Sequence, residues 1–174
     1  MTRPINREHI LQVALVRFVR EAVSAPHEFM SFDRGKAAGQ WSHMREKARG
    51  VKAGTPDVLL LVEGKAPIWC ELKAPGNKPT EQQVDMGNRL MAVGCWWSWV
   101  TSVSTFHEWV RSIGVELRAN AEFLAMHADA GVLSKIAAAE TKAGKAPRSY
   151  KAPVANTSAA RIRKVGAVRA RVMF

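Results

Sequence analysis

The apolar positions near the start of the chain recur at steps of three and four residues, which is the period of an amphipathic helix. One face of this helix is made by Leu11, Leu15, Phe18 and Ala22. Asn6 is placed to cap the first turn, because its side chain can accept a hydrogen bond from a backbone N–H group there. Pro26 cannot continue a helix. The pattern therefore predicts a helix over residues 7–23.

In the middle of the chain the helical period gives way to short apolar runs. Residues 58–62 contain only Val and Leu, residues 63–67 carry the Gly and Pro of a turn, and residues 68–73 form a second run. Two such runs joined by a turn predict a β-hairpin. The preceding residues 27–53 are rich in Gly and charge without a clear period, and predict a long loop with a short helix around residues 41–49.

Capping signals and aromatic residues continue the series after the hairpin. Thr80 with Gln83 has the arrangement of a capping box, and predicts a helix that ends at Gly94. Aromatic and β-branched residues then predict a third strand over residues 95–103.

Helices are also predicted over the remaining residues up to 140. Thr105 with Glu108 forms a second capping-box pattern, which predicts a helix ending at Gly114. The Ala-rich residues 115–140 predict one or two further helices, interrupted near Gly131. The order helix, hairpin, helix, strand, helix indicates an α/β fold with a mixed central sheet flanked by helices.

The composition is that of a protein with a buried core, and it gives no sign of a membrane span. The 174 residues are 47% hydrophobic, which is enough to bury a core. The longest apolar run, residues 58–62, is far below the roughly 20 residues that cross a bilayer, so no membrane association is expected. Residues 1–10 lack the apolar stretch of a signal peptide. Cys70 and Cys95 lie in apolar stretches without paired ligand spacing, as expected of buried free thiols, and we expect a cytoplasmic protein.

The charge of the chain is unevenly distributed. Its 26 Lys and Arg against 15 Asp and Glu give +11, but residues 141–174 hold nine basic residues and no acid, so the remainder carries only +2. These terminal residues predict a flexible basic arm, which either attracts phosphates or is simply a poorly ordered terminus. A second basic cluster precedes the hairpin and consists of Arg34, Lys36, Arg45, Lys47, Arg49 and Lys52.

Three charged residues occupy the hairpin where apolar residues would be expected: Asp57, Glu71 and Lys73. Gly64 is midway between 57 and 71, so an antiparallel hairpin centred there brings the two carboxylates opposite each other, with Cβ atoms about 4.5–5.5 Å apart. Such a pair favours a hard divalent cation with oxygen ligands. Lys73 falls on the same face as Glu71, where it could orient or deprotonate a water and stabilise charge on a phosphate. The alternative interpretation is a solvated strand face that begins at a turn aspartate.

Four motifs extend this pattern along the chain. They are Arg7-Glu8-His9-Ile10-Leu11-Gln12, Gly54-Thr55-Pro56-Asp57, Cys70-Glu71-Leu72-Lys73 and Gly76-Asn77-Lys78-Pro79-Thr80-Glu81-Gln82-Gln83. Together they resemble the PD-(D/E)xK nuclease superfamily, and most closely its VRR-NUC (virus-type replication-repair nuclease) family. The resemblance covers about residues 5–114 and implies a restriction-endonuclease-like core. The family often has a bulky apolar residue shortly after the glutamine, whereas Val84, Met86 and Gly87 follow here.

The resemblance implies a role for each matching position. The ligands of Mg²⁺ or Mn²⁺ would be Asp57, Glu71 and the backbone carbonyl of Leu72. Lys73 would position or activate a water molecule, and Gln83 would steady the site or a phosphate at the start of its helix. Glu8 would add a further metal contact, unless it is only a favourable charge in the first turn of a helix.

The expected function is that of a Mg²⁺-dependent endonuclease acting on branched or otherwise structured DNA, such as a junction or flap, in replication, repair or recombination. The alternative is a non-catalytic DNA-binding accessory protein that keeps the nuclease fold. Lys78 and the basic cluster before the hairpin would contact backbone phosphates, or else form a solvated loop. A homodimer is plausible for a substrate with two strands to cut. The predicted division is a nuclease domain at 1–114, a helical extension at 115–140 and the basic arm at 141–174.

Six tryptophans against one tyrosine are unusual usage, and three of them, Trp96, Trp97 and Trp99, fall in one predicted strand. Packing in the core is the main interpretation. An exposed tryptophan could instead stack on a splayed base or form a subunit interface.

Overall fold

Regular structure occupies most of residues 6–32, 50, 52–142 and 144, which are the residues that the computed structural model describes. The elements in chain order are α1 (Arg7–Ala22), β1 (His27–Ser31), β2 (Val58–Val62), β3 (Ile68–Leu72), α2 (Glu81–Ala92), β4 (Trp96–Val100), α3 (Val103–Ser112) and α4 (Ala121–Lys142). The predicted α/β class is confirmed.

The four strands form one mixed sheet in the order β1-β2-β3-β4. β1 pairs antiparallel with β2, and β2 pairs antiparallel with β3 as the predicted hairpin. β4 joins the other edge of β3 in parallel, since the chain crosses over through α2 before it returns to the sheet. The mixed sheet expected from the order of elements is therefore present.

The main core lies between one face of this sheet and the helices α1, α3 and α4. On β3, alternate residues turn toward these helices, and Ile68, Cys70 and Leu72 are buried there. The opposite face of the sheet receives α2, which packs on β4. A buried ion pair between Arg7 and Glu140 ties the start of α1 to the end of α4.

Strand β1 is the largest difference from the sequence prediction, which has a loop over these residues. Its residues are half-buried or exposed, and the sequence His-Glu-Phe-Met-Ser has no apolar run of the kind that marks a buried strand. The strand forms because its backbone pairs along the whole of β2, from His27 opposite Val62 to Ser31 opposite Val58. The short helix predicted around residues 41–49 lies outside the described residues.

Helix α3 begins two residues before the predicted cap. Ser102 is its N-cap, and Ser102 and Thr105 form a reciprocal capping box, so the predicted pairing of Thr105 with Glu108 is wrong. Asp129 of α4 adds hydrogen bonds to the first two backbone N–H groups of the helix, Val103 at 2.6 Å and Ser104 at 3.0 Å. Because Ser102 starts this cap, the predicted third strand ends at Val100 rather than 103.

Helix α4 runs unbroken through Gly131, where an interruption is predicted. A glycine inside a helix costs about 1 kcal/mol relative to alanine, which the packing of α4 on α1 and α3 offsets. The first two residues of the predicted arm 141–174 end this helix, and those beyond 144 lie outside the described residues. The division of the chain at 114 stays a prediction.

Two smaller findings bear on the class of protein. Cys70 and Cys95 are free thiols; the first is buried as predicted, and the second is only half-buried. None of the helices within residues 6–32 and 52–142 is long and apolar enough to cross a membrane.

Candidate functional site

The register of the β2–β3 hairpin brings Asp57 and Glu71 to the same end of the sheet. Val58 lies opposite Cys70 and Leu60 opposite Ile68, so the pairing is centred on residue 64 as predicted. One step outward along the same register places position 57 opposite position 71. The carboxylate of Asp57 turns toward β3, where its Oδ2 accepts a hydrogen bond from the Leu72 backbone N–H at 2.7 Å.

The side chain of Glu71 is buried at the centre of this group, with 1% of its surface exposed. Its Oε1 accepts hydrogen bonds from the Lys73 ammonium at 2.6 Å and from the Gln83 side-chain amide. Among the residues that the structure describes, no donor reaches its other oxygen, Oε2. A buried oxygen without a partner is rare in native proteins and points to a group that completes the site.

The surroundings of Asp57 and Glu71 do not favour a negative charge on both carboxylates at once. Burial, together with the charge of Asp57, raises the pKa of Glu71 to about 7, although the hydrogen bond from Lys73 and its positive charge act in the opposite direction. Burial also raises the pKa of Asp57, against the Leu72 N–H and Lys73, which lower it. In the absence of a cation, the pair therefore holds a proton more readily than two exposed carboxylates would.

The oxygen atoms at this end of the sheet are suitable ligands for a hard cation. They belong to the carboxylates of Asp57 and Glu71 and to the Leu72 carbonyl, which lies on the same strand edge as the N–H that binds Asp57. One of the Glu71 oxygens has no partner among residues 6–32 and 52–142. Oxygen donors of this kind are preferred by Mg²⁺ and Mn²⁺. Over residues 6–32 and 52–142, no three His, Cys, Asp or Glu side chains form a metal-binding group, so a cation here would rely on backbone oxygen and water as well.

Glu8 in the first turn of α1 also lies close to this group. Its Oε1 accepts a hydrogen bond from the Ala74 backbone N–H at 3.3 Å, just beyond the end of β3. Its negative charge raises the pKa of Asp57, which places the two carboxylates within electrostatic reach of each other. The structure thus places Glu8 at the edge of the site. Its carboxylate contacts the end of β3, in addition to lying in the first turn of its own helix.

Gln83 is positioned by the predicted capping box at the start of α2. The side chain of the N-cap Thr80 accepts from the Gln83 backbone N–H, and Gln83 Oε1 accepts from the Thr80 backbone N–H at 2.8 Å. These two contacts fix the Gln83 amide with its nitrogen toward Glu71. Gln83 therefore orients the buried carboxylate.

Gly54 explains how the start of α2 comes so near to the hairpin, a role that the sequence pattern does not reveal. It adopts a positive φ of 77°, and a Cβ atom on it would lie 2.8 Å from the carbonyl carbon of Gln82. Only glycine satisfies both conditions without strain. The glycine of the G-x-P-D motif thus lets the loop before Asp57 pack on the first turn of α2.

Gly87 has a comparable role further along α2, where the helix crosses β4. A Cβ atom on it would overlap the indole ring of Trp97 on β4. The small residue lets α2 lie directly on a large aromatic side chain.

The predicted nucleic-acid contacts divide into two groups. Lys52 and Lys78 are exposed, the first in the loop before Asp57 and the second between β3 and α2. The remaining positions of the basic cluster lie outside the described residues: Arg34, Lys36, Arg45, Lys47 and Arg49.

No protein-family model, curated protein or solved structure matches this chain. The resemblance to the VRR-NUC family therefore stays a prediction from motifs. The function must be inferred from the geometry of Asp57, Glu71, Lys73 and Gln83.

Proposed function

We propose that this chain is a metal-dependent nuclease of the PD-(D/E)xK type, with a restriction-endonuclease-like core. The observation that carries the proposal is the environment of Glu71, a buried carboxylate that faces Asp57 and Lys73 and has one oxygen without a partner in the described part of the chain. A core that only had to be stable would gain from an apolar residue there, since a buried ionic group is weak evidence for stability. The arrangement is better explained by chemistry.

A bound Mg²⁺ or Mn²⁺ ion held by Asp57, Glu71 and the Leu72 carbonyl would polarise the scissile phosphate and lower the pKa of water. The chain's own residues supply the rest. Asp57 is fixed by the Leu72 N–H, and Glu71 by Lys73 and Gln83, so both carboxylates are held before substrate arrives. Preorganisation of this kind avoids rearrangement during the reaction.

Lys73 is the candidate for direct action on the reacting atoms. Its ammonium group lies 2.6 Å from Glu71 Oε1 and its side chain is 11% exposed, so it is screened from bulk water yet borders the site. A cation in this position would orient the attacking water and stabilise the negative charge that develops on the phosphate oxygens. Gln83 acts through Glu71 and is a positioning residue.

The proposed substrate is DNA, with branched or otherwise structured forms favoured by the family resemblance. The net charge of +11 supports a polyanionic partner, since Lys and Arg gain affinity for nucleic acid by releasing counterions. The exposed Lys52 and Lys78 precede and follow the acidic pair along the chain, and in this proposal they would contact backbone phosphates.

The test is incubation of the purified full chain with labelled four-way junction, flap, duplex and single-stranded DNA, each with Mg²⁺, Mn²⁺ or EDTA. We expect metal-dependent cleavage of at least one substrate, and its loss in Asp57→Ala and Lys73→Ala. Asp85→Asn, at an exposed position of α2, is the control and should cleave like the wild type. Binding without cleavage of any substrate would favour the non-catalytic accessory protein, and equal cleavage by the two alanine variants would place catalysis elsewhere.

A further inference from the structure

An aromatic pair lies on the same face of the sheet as the carboxylates. The Phe32 backbone N–H donates to the Asp57 carbonyl at 2.7 Å, which continues the β1–β2 register and sets Phe32 beside Asp57. Trp69 precedes Glu71 by two residues on β3, so its side chain points to the same face. The two rings meet with centroids 5.1 Å apart and planes inclined by 41°.

Phe32 lies on the β1–β2 side of the sheet, next to the end of β1. Helix α2 covers the β4 side through Gly87 and Trp97. Phe32 remains 38% exposed, although aromatic side chains usually contribute most to a fold when buried. An exposed ring held against a tryptophan is therefore better explained by a ligand than by packing.

The position of the pair limits what that ligand can be. Along a strand, residues two apart are separated by about 6.6 Å, so the Trp69 ring starts close to the Glu71 carboxylate. A planar group stacked on the rings would therefore lie close to a phosphate bound at the carboxylates. At this separation, the planar group and the phosphate would be parts of one molecule. Lys52, in the loop before Asp57, and Lys78, between β3 and α2, are exposed, and the net charge of +11 favours an anionic polymer as the ligand. A planar group on such a polymer is a nucleobase.

We propose that Phe32 and Trp69 form a stacking platform for an unpaired nucleobase next to the scissile phosphate, an inference that rests on the proposed nuclease function. A base inside a duplex is stacked on both faces and cannot reach the rings without leaving the helix. The platform therefore selects substrates with a single-stranded or splayed nucleotide at the cleavage site. The acidic residues alone do not specify this requirement for an unpaired nucleotide.

The test is the binding of a short fluorescein-labelled single-stranded DNA and of the fully paired duplex of the same sequence, by anisotropy in EDTA. We expect Phe32→Ala to weaken single-strand binding about tenfold, within the range measured for loss of one base–aromatic stack, and to change duplex binding less than about twofold. Phe32→Trp should restore the wild-type value. Phe123→Ala is the matched control, because Phe123 is also an exposed phenylalanine but lies on α4, which packs on the opposite face of the sheet, and it should leave binding unchanged.

A second measurement reports stacking directly. With 2-aminopurine in the single strand, wild-type protein should quench its fluorescence and Phe32→Ala should not, while Trp69→Phe should keep most of the quenching. Unchanged single-strand affinity in Phe32→Ala, or an equal loss for single strand and duplex, would overturn the platform. Because neither measurement requires metal or cleavage, a failure of the platform is distinguishable from a failure of the nuclease assignment.

Discussion

Replacing Glu71 with glutamine should make the metal-free protein more stable at alkaline pH. Glutamine has the shape of the protonated carboxyl group. Its oxygen can accept from Lys73 and Gln83 as Glu71 Oε1 does, and its amide can donate toward Asp57. The substitution therefore removes a buried negative charge and keeps the hydrogen bonds.

The size of the effect follows from the pKa of Glu71. Folding raises this pKa from 4.5 to about 7, chiefly through burial and the charge of Asp57. Since the folded state binds the proton more tightly, the contribution of Glu71 to stability is largest below pH 4.5 and is lost as the pH rises through about 7. At about 1.4 kcal/mol per pKa unit, and allowing for the coupling to Asp57, the loss is about 2 to 3 kcal/mol.

The assay is urea unfolding of wild type and Glu71→Gln in EDTA at pH 5 and pH 8. We expect the variant to exceed the wild type by about 2 to 3 kcal/mol at pH 8 and by much less at pH 5. Glu63→Gln, in the exposed turn between β2 and β3, is the control and should change the stability by less than about 0.5 kcal/mol at either pH. A variant less stable than the wild type at pH 8, or a difference independent of pH, would refute this reading of the site.

Three further predictions concern the cation, the approach of α2 and the terminal charge. Millimolar Mg²⁺ or Mn²⁺ should raise the melting temperature of the wild type and leave Asp57→Asn unchanged, since only a bound ion stabilises by mass action; an equal rise in both would exclude Asp57 as a ligand. Gly54→Ala should cost about 1 to 3 kcal/mol in urea unfolding and slow cleavage, because its Cβ would strike the Gln82 backbone; wild-type stability would contradict the close contact. Truncation after residue 144 should weaken DNA binding and flatten its dependence on salt while metal-dependent cleavage remains, and an unchanged salt slope in anisotropy titrations would count against a phosphate-binding tail.

The hairpin and its charged residues could be predicted because their information is local. Two apolar runs and a turn centred on residue 64 determine which positions face each other, and the structure has this register. The capping box at Thr80 and Gln83 is local in the same sense, and it is present as predicted.

The features that the sequence did not reveal depend on contacts between distant segments. β1 carries no buried residue and exists through its pairing with β2, so its own residues give no strand signal. Gly54 and Gly87 are small because a helix and an indole ring approach them, and neither neighbour can be identified from spacing along the chain. The Glu71 oxygen that lacks a partner among the described residues likewise depends on which distant segments surround it.

The central claim is that Asp57, Glu71 and Lys73 form a site that hydrolyses phosphodiester bonds. Its most direct test is the single-turnover rate of DNA cleavage in Mg²⁺ by wild type, Lys73→Met and the control Lys65→Met, whose lysine lies in the exposed β2–β3 turn. We expect a drop of at least about 100-fold for Lys73→Met and a wild-type rate for Lys65→Met. A wild-type rate in Lys73→Met would contradict the claim.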